Sequence, residues 1–219
     1  LLATGDLLSV QVHPDDAAAL RLDGAASGKH EAWVVLHAEP DAELYLGLLP
    51  HATKEQLCAA AARGDSEGVR NCLRRVVPKA GDVFDIAPGT VHAPGRGLVL
   101  YEVQQSSDLT YRLFDWNRLG LDGRPRVLHV AKAAAVIDPH LRPITCVPEP
   151  DQTDIELLRT PHFALRRLRV EGEGPLGGEG LRLVTCAAGA GEILSDDAPA
   201  VDLSAGATCV VLRDAKNVR

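Results

Sequence analysis

The sequence predicts a mainly β protein of barrel or sandwich type carrying a short helical insert. Short segments rich in Val, Leu, Ile and aromatic residues recur between Gly/Pro turns, as in Val83–Ile86 and Leu98–Gln104. Several of them alternate with the period of two that puts successive side chains on opposite faces of a strand. One stretch, 53–77, switches instead to helical spacing. At 219 residues the chain can bury one large core or two modest ones. A Pro-, Asp- and Glu-rich connection over 139–153 divides it into a first unit, 1–138, and a second, 139–219.

The first strand is Leu8–His13, in which Val10 and Val12 face one way and Ser9, Gln11 and His13 the other. Pro14 ends it, and Asp15 or Asp16 can cap a short helix through Leu22. After a flexible loop, Lys29–Leu36 reads as a strand with Lys29, Glu31, Trp33 and Val35 on one face. Glu43–Leu48 is the next strand. Thr53 and Gln56 form a capping box for a helix that stops at Gly64, and a second helix begins at Asp65 or Ser66. That second helix is expected to turn Val69, Cys72, Leu73 and Val76 inward and to close at Pro78. Strands follow at Val83–Ile86 and Leu98–Gln104, with the Ala87–Pro88–Gly89–Thr90–Val91 turn delivering His92 between them. In the second unit, 162–170, 181–186, 193–194 and 209–212 are strand candidates between Gly-rich turns.

Composition excludes several classes of function. No apolar run approaches the roughly 18 residues of a membrane span, so no membrane partner is expected. The net charge of −7 and the lack of a basic stripe interleaved with aromatics exclude a nucleic-acid surface. The five cysteines (58, 72, 146, 186 and 209) lack a Cys-x-x-Cys pair and read as reduced packing residues of a cytoplasmic protein.

Four residues of the first unit stand out. Gln11 and His13 are about 7 Å apart on one strand face, near enough to reach one metal ion. Glu31 is a charged residue on a face that continues as Trp and Val, and His92 follows a tight turn. Each has an ordinary reading as strand rim or exposed loop. Together they make a nitrogen and oxygen donor set suited to Zn²⁺ or another divalent first-row metal.

Leu8-Ser9-Val10-Gln11-Val12-His13-Pro14-Asp15-Asp16, Gly28-Lys29-His30-Glu31-Ala32-Trp33, Pro88-Gly89-Thr90-Val91-His92 and Ser107-Asp108-Leu109-Thr110-Tyr111-Arg112-Leu113-Phe114-Asp115-Trp116-Asn117-Arg118 occur in this order. In wording and order they resemble the class I phosphomannose isomerases, a zinc-dependent branch of the cupin superfamily, in the short bacterial form. The resemblance implies two cupin-type β-barrel or jelly-roll units, the second without a metal. It implies Zn²⁺ bound by His13, Glu31 and His92, with Gln11 as a fourth ligand or close neighbour. Arg112 would be the catalytic arginine, and Lys29 and Asp108 would line the sugar site. The family carries a longer N-terminal portion with a phosphate-holding lysine, whereas only Leu1–Asp6 precede this strand, so that portion is expected to be missing here.

The implied reaction interconverts mannose 6-phosphate and fructose 6-phosphate through an enediol, in a protein acting as a monomer or homodimer. A proton leaves C2 and arrives at C1, with Lys29 or Asp108 as the carbon base and Arg112 stabilising the enediolate or gripping phosphate. The alternatives are a metal-bearing cupin that binds a sugar or sugar phosphate without turnover, and an iron oxygenase. Only two candidate His ligands, beside Lys29 and Arg112, argue against the oxygenase.

Overall fold

The computed structural model describes residues 1–141, 143, 145–146 and 152–219, and the chain divides into two units, Leu1–Pro150 with Ile155–Arg166, and Asp151–Asp154 with Arg167–Arg219. In chain order the elements of the first sheets and their helices are β1 (Leu2–Thr4), β2 (Val10–Val12), α1 (Asp16–Asp23), β3 (Glu31–Ala38), β4 (Leu44–Leu48), α2 (Lys54–Ala62), α3 (Ser66–Arg70) and β5 (Leu73–Val76). There follow β6 (Val83–Ile86), β7 (His92–Pro94), β8 (Leu98–Gln104), β9 (Tyr111–Phe114), α4 (Val130–Val136) and β10 (Thr145–Cys146). The remaining strands are β11 (Asp154–Arg159), β12 (Ala164–Leu168), β13 (Arg182–Thr185), β14 (Ala190–Ser195), β15 (Ala198–Ser204) and β16 (Thr208–Val211).

Two five-stranded antiparallel sheets make the frame of the first unit, in the orders β1-β8-β3-β6-β10 and β5-β4-β7-β2-β9. Period-two alternation gives each sheet two faces, and each face is buried differently. Trp33, Val35, Phe84, Ile86, Leu98 and Leu100 from the first sheet meet Leu44 and Leu46 from the second in a shared core. The opposite face of the second sheet, with Val10, Val12, Tyr45, Ala93, Tyr111 and Leu113, is covered by Leu57, Ala60 and Ala61 of α2, Val69 of α3 and Ala133 of α4. Ala32 and Val83, on the outer face of the first sheet, pack on Leu157 and Leu165.

The mainly β expectation holds, but the closed barrel does not. Among the described residues neither sheet joins its own edges: β1 and β10, and β5 and β9, are edge strands. Large side chains such as Trp33 and Phe84 fill the space between two facing sheets, which is the packing of a sandwich.

Capping chemistry acts where the sequence places it. Asp15 accepts from the Ala18 N–H at the start of α1, and Gly24 ends that helix with φ +67°. Thr53 and Gln56 exchange both hydrogen bonds of the capping box on α2. The helix expected to run on to Val76 stops at Arg70, and Leu73–Val76 is β5, paired with β4. Leu73 enters the helix-side core and Val76 packs against the core between the sheets, because a strand sends residues three apart to opposite faces. The i, i+3 spacing that imitates a helix is therefore two separate burials. Within the connection expected over 139–153, Thr145–Cys146 is β10, paired with β6, and 142, 144 and 147–151 lie outside the described residues.

In the second unit β13 pairs with β16 and β14 with β15, both antiparallel, the latter with a register shift between Ile193 and Ser195. Cys186 and Cys209 in this unit and Cys58 and Cys72 in the first are free thiols.

Candidate metal centre

Three strands converge on one spot. In the ladder joining β7, β2 and β9, Gln11 stands opposite His92 on one side and opposite Arg112 on the other. Residues directly opposite share a face, and His92 also stands opposite Leu46, a residue of the core between the sheets. Gln11, His92 and Arg112 therefore project toward that core. From the facing sheet, Glu31 heads the register of Trp33 and Val35. Local backbone chemistry sets the approach: Gly89 takes φ +89° and donates to the His13 carbonyl, and the Thr90 N–H closes the turn on Ala87. A Cβ on residue 89 would come 3.0 Å from the Val136 carbonyl.

His13, Glu31 and His92 are all buried, and each offers a ligand atom within 4.8 Å of the others. His13 Nε2 lies 3.3 Å from Glu31 Oε1, and His92 Nε2 lies 3.7 Å from Glu31 Oε2. Donors about 2 Å from one tetrahedral centre would stand a little over 3 Å apart, so the spacing suits a zinc-sized ion. Each imidazole has its Nδ1 2.9 Å from a backbone carbonyl, Leu109 for His13 and Thr90 for His92. Those carbonyls require Nδ1 to carry the proton, which leaves both Nε2 lone pairs aimed into the cluster. His13 Nε2, Glu31 Oε2 and His92 Nε2 are buried and make no hydrogen bond. Orphaned donors and acceptors of this kind are costly to bury, and a cation would satisfy all three at once.

Of the other residues the sequence points to, Lys29 meets the cluster directly. Lys29 is 8% exposed and its Nζ pairs with Glu31 Oε1. Arg112 is half-buried, with Nη1 donating to the Val127 carbonyl and a buried Nε that makes no hydrogen bond. Asp108 is exposed in the loop between β8 and β9 and outside the His13–Glu31–His92 group. Its neighbour Leu109 supplies the carbonyl facing His13. Glu102, not singled out in the sequence reading, stands opposite Trp33. Burial, with Glu31's charge beside it, pushes its carboxyl pKa up. The available signal was parity: Leu98 and Leu100 point into the core, and Glu102 is next in that series.

Burial pushes the His92 pKa down to about 4, with a further push from His13 and partial opposition from Glu31. For Glu31, burial works upward but is outweighed by the neighbouring His13 and His92 imidazoles and by Lys29, so its carboxyl stays below the usual range. Both shifts are depressions. The folded state binds fewer protons than the unfolded chain, so the stability they contribute grows with pH and is lost on acidification. For His92 the window runs from 6.5 down to about 4, and Glu31 adds to the loss below 4.5. The metal-stripped protein is therefore expected to lose about 3 kcal/mol or less through His92 between pH 7 and 4. Urea unfolding midpoints of chelated protein at those two pH values check this. Equal midpoints would contradict it.

Comparison with known proteins gives a consistent picture. No family model matches the chain. It is 42% identical over 137 residues to the mannose-6-phosphate isomerase of Streptococcus mutans, covering 63% of this chain and 42% of that protein. It is 43% identical over 131 residues to the mannose-6-phosphate isomerase ManA of Bacillus subtilis, covering 60% of this chain and 40% of that protein. The chain spans about half or less of the length of the curated relatives it matches. The crystal structure of the mannose 6-phosphate isomerase from Bacillus subtilis superposes with a TM-score of 0.83 at 27% identity, over 98% of this chain and 68% of that one. The resemblance carried by the sequence motifs is thus borne out by independent sequence and structure matches.

Proposed function

We propose that this chain, similar as it is to the mannose-6-phosphate isomerases, binds Zn²⁺ through His13, Glu31 and His92 and interconverts mannose 6-phosphate and fructose 6-phosphate. The observation that carries the proposal is the convergence of three buried ligand atoms, none of them hydrogen-bonded, beside Lys29, with Arg112 on the sheet face of His92. In this reading the two facing sheets, all but β10 within 1–138, are a cupin-type jelly roll, and the rest of 139–219 is a second β unit without a metal of its own. Among the described residues no helix is long and apolar enough to cross a membrane. The phosphorylated substrate points to the cytoplasm as the place of action.

Zinc, when bound, would act as a Lewis acid that polarises the sugar's carbonyl and hydroxyl oxygens. Gln11, on the same sheet face as His92, is a fourth ligand or a close neighbour that orients the sugar. The chain's own groups then move the proton. Lys29, buried against Glu31, is the inner of the two candidate bases; as the neutral amine it would take the proton from C2 and return it to C1 through an enediol. A second proton passes between O2 and O1. Asp108, exposed at the rim, orients the substrate from the loop that also holds His13. Arg112, always protonated, stabilises the developing enediolate charge.

The test is fructose 6-phosphate formation from mannose 6-phosphate, measured after chelation and again after zinc is restored. Turnover should vanish with the metal and return with it. A folded, zinc-loaded protein that binds the sugar phosphate without turning it over would replace the isomerase with a binding protein.

A further inference from the structure

We propose that Gln105 is a positioning residue that sets the spacing between His13 and Glu31, an inference that rests on the reading of these residues as metal ligands. Gln105 lies one residue beyond β8 and is 9% exposed. Its Oε1 accepts from the His30 N–H at 2.8 Å, and its own N–H donates to the His30 carbonyl at 3.0 Å. Its Nε2 donates to Asp16 Oδ1 at 3.1 Å and to Ser27 Oγ at 3.2 Å. The Gln105 carbonyl accepts from Ser107 at 2.7 Å. All of its polar atoms are therefore committed.

The partners are what give these bonds a function. His30 separates Lys29 from Glu31, and Asp16 follows His13 by three residues. One amide thus ties the segment carrying Glu31 to the segment carrying His13. The two segments also meet through the backbone: Gly28 N–H donates to the Asp16 carboxylate Oδ1 at 2.7 Å, and Lys29 N–H donates to the Pro14 carbonyl at 2.9 Å. A Cβ on Gly28 would come 2.4 Å from the Pro14 oxygen, so nothing larger than glycine permits this approach. On the outer face of β3, His30 Nε2 bonds Asp85 Oδ1 at 2.6 Å, which anchors the His30 ring but leaves the spacing to Asp16 unfixed. Only a side-chain amide offers one acceptor and two donors in a fixed plane. A leucine of similar size would leave the His30 N–H without its acceptor and Asp16 Oδ1 with the Gly28 N–H but not the amide. A glutamate would keep the acceptor for His30 but set a carboxylate against Asp16.

Partners behind metal ligands typically govern metal affinity by 10- to 100-fold. Zn²⁺ affinity by competition with a chelating dye, and the Co²⁺ absorption spectrum, would be measured on metal-stripped protein. Gln105→Leu and Gln105→Glu are each expected to weaken Zn²⁺ binding by about 10- to 100-fold and to alter the Co²⁺ spectrum. Asp16→Asn combined with Gln105→Glu removes the carboxylate–carboxylate repulsion, keeps an oxygen for the Gly28 N–H, and should recover part of the affinity that Gln105→Glu loses. A purely structural role predicts otherwise: the melting temperature of the stripped variants falls while their Zn²⁺ affinity and Co²⁺ spectrum match the parent protein. That result, or a paired variant no better than Gln105→Glu alone, overturns the proposal. Failure of the parent protein to bind either ion would overturn it together with the metal centre itself.

Discussion

His92→Ala is expected to yield a folded protein that retains no zinc and has lost about a thousandfold or more of its kcat/KM for mannose 6-phosphate. Lewis-acid stabilisation is worth several kcal/mol, and each 1.4 kcal/mol is about tenfold in rate. His92 is fully buried, with its ring 4.9 Å from that of His13 and 5.3 Å from that of Trp33. Truncation therefore removes a proposed ligand and opens a cavity in the core. The two effects are separable. The cavity lowers the melting temperature of the metal-stripped variant relative to the stripped parent protein. The lost ligand removes the extra stabilisation that added zinc gives the parent protein. Glu31 is still paired with Lys29 in this variant, so its charge is not left without a partner. Metal content by elemental analysis, read beside turnover, decides the matter. A variant that keeps stoichiometric zinc and near-parental turnover would remove His92 from the ligand set.

The sequence made the donor set visible because strand geometry is local. Gln11, His13, Glu31 and Trp33 can be assigned to faces by parity alone, and the Pro88–Gly89–Thr90 turn announces its own direction change. The capping box at Thr53 is likewise complete within four residues. What could not be read depends on pairing between distant segments. Leu73–Val76 becomes a strand because the edge of β4 is available to it, a fact held far upstream in Leu44–Leu48. Helix α4 begins at His129 with no side-chain cap, so an Ala-rich run carries no start signal. Glu102 and Gln105 look like ordinary strand-end residues until β8 is laid beside β3. Whether two sheets close into a barrel is decided by edge hydrogen bonds, which alternation does not encode.

Arg112→Ala should lower kcat by about 10²–10³ while leaving zinc content and KM close to those of the parent protein, the signature of a charge felt mainly in the transition state. Its position supports that assignment. Arg112 stands opposite Gln11 in the β2–β9 ladder, and Gln11 stands opposite His92, so Arg112 and His92 share one sheet face. Its Nη1 is held by the Val127 carbonyl at 3.1 Å, and that carbonyl follows Arg126, whose Nε donates to the buried Asp115 at 2.6 Å. The arginine is thus anchored on one edge of its fork, and its buried Nε makes no hydrogen bond. A lysine cannot reproduce a planar fork with one edge fixed and another presented, so Arg112→Lys should recover little of the lost kcat. The competing role is phosphate binding, which acts equally on ground and transition states. It would raise KM at constant kcat. A kcat within tenfold of the parent protein, with KM raised, would move Arg112 to the phosphate. The enediolate would then be left to the metal and Lys29.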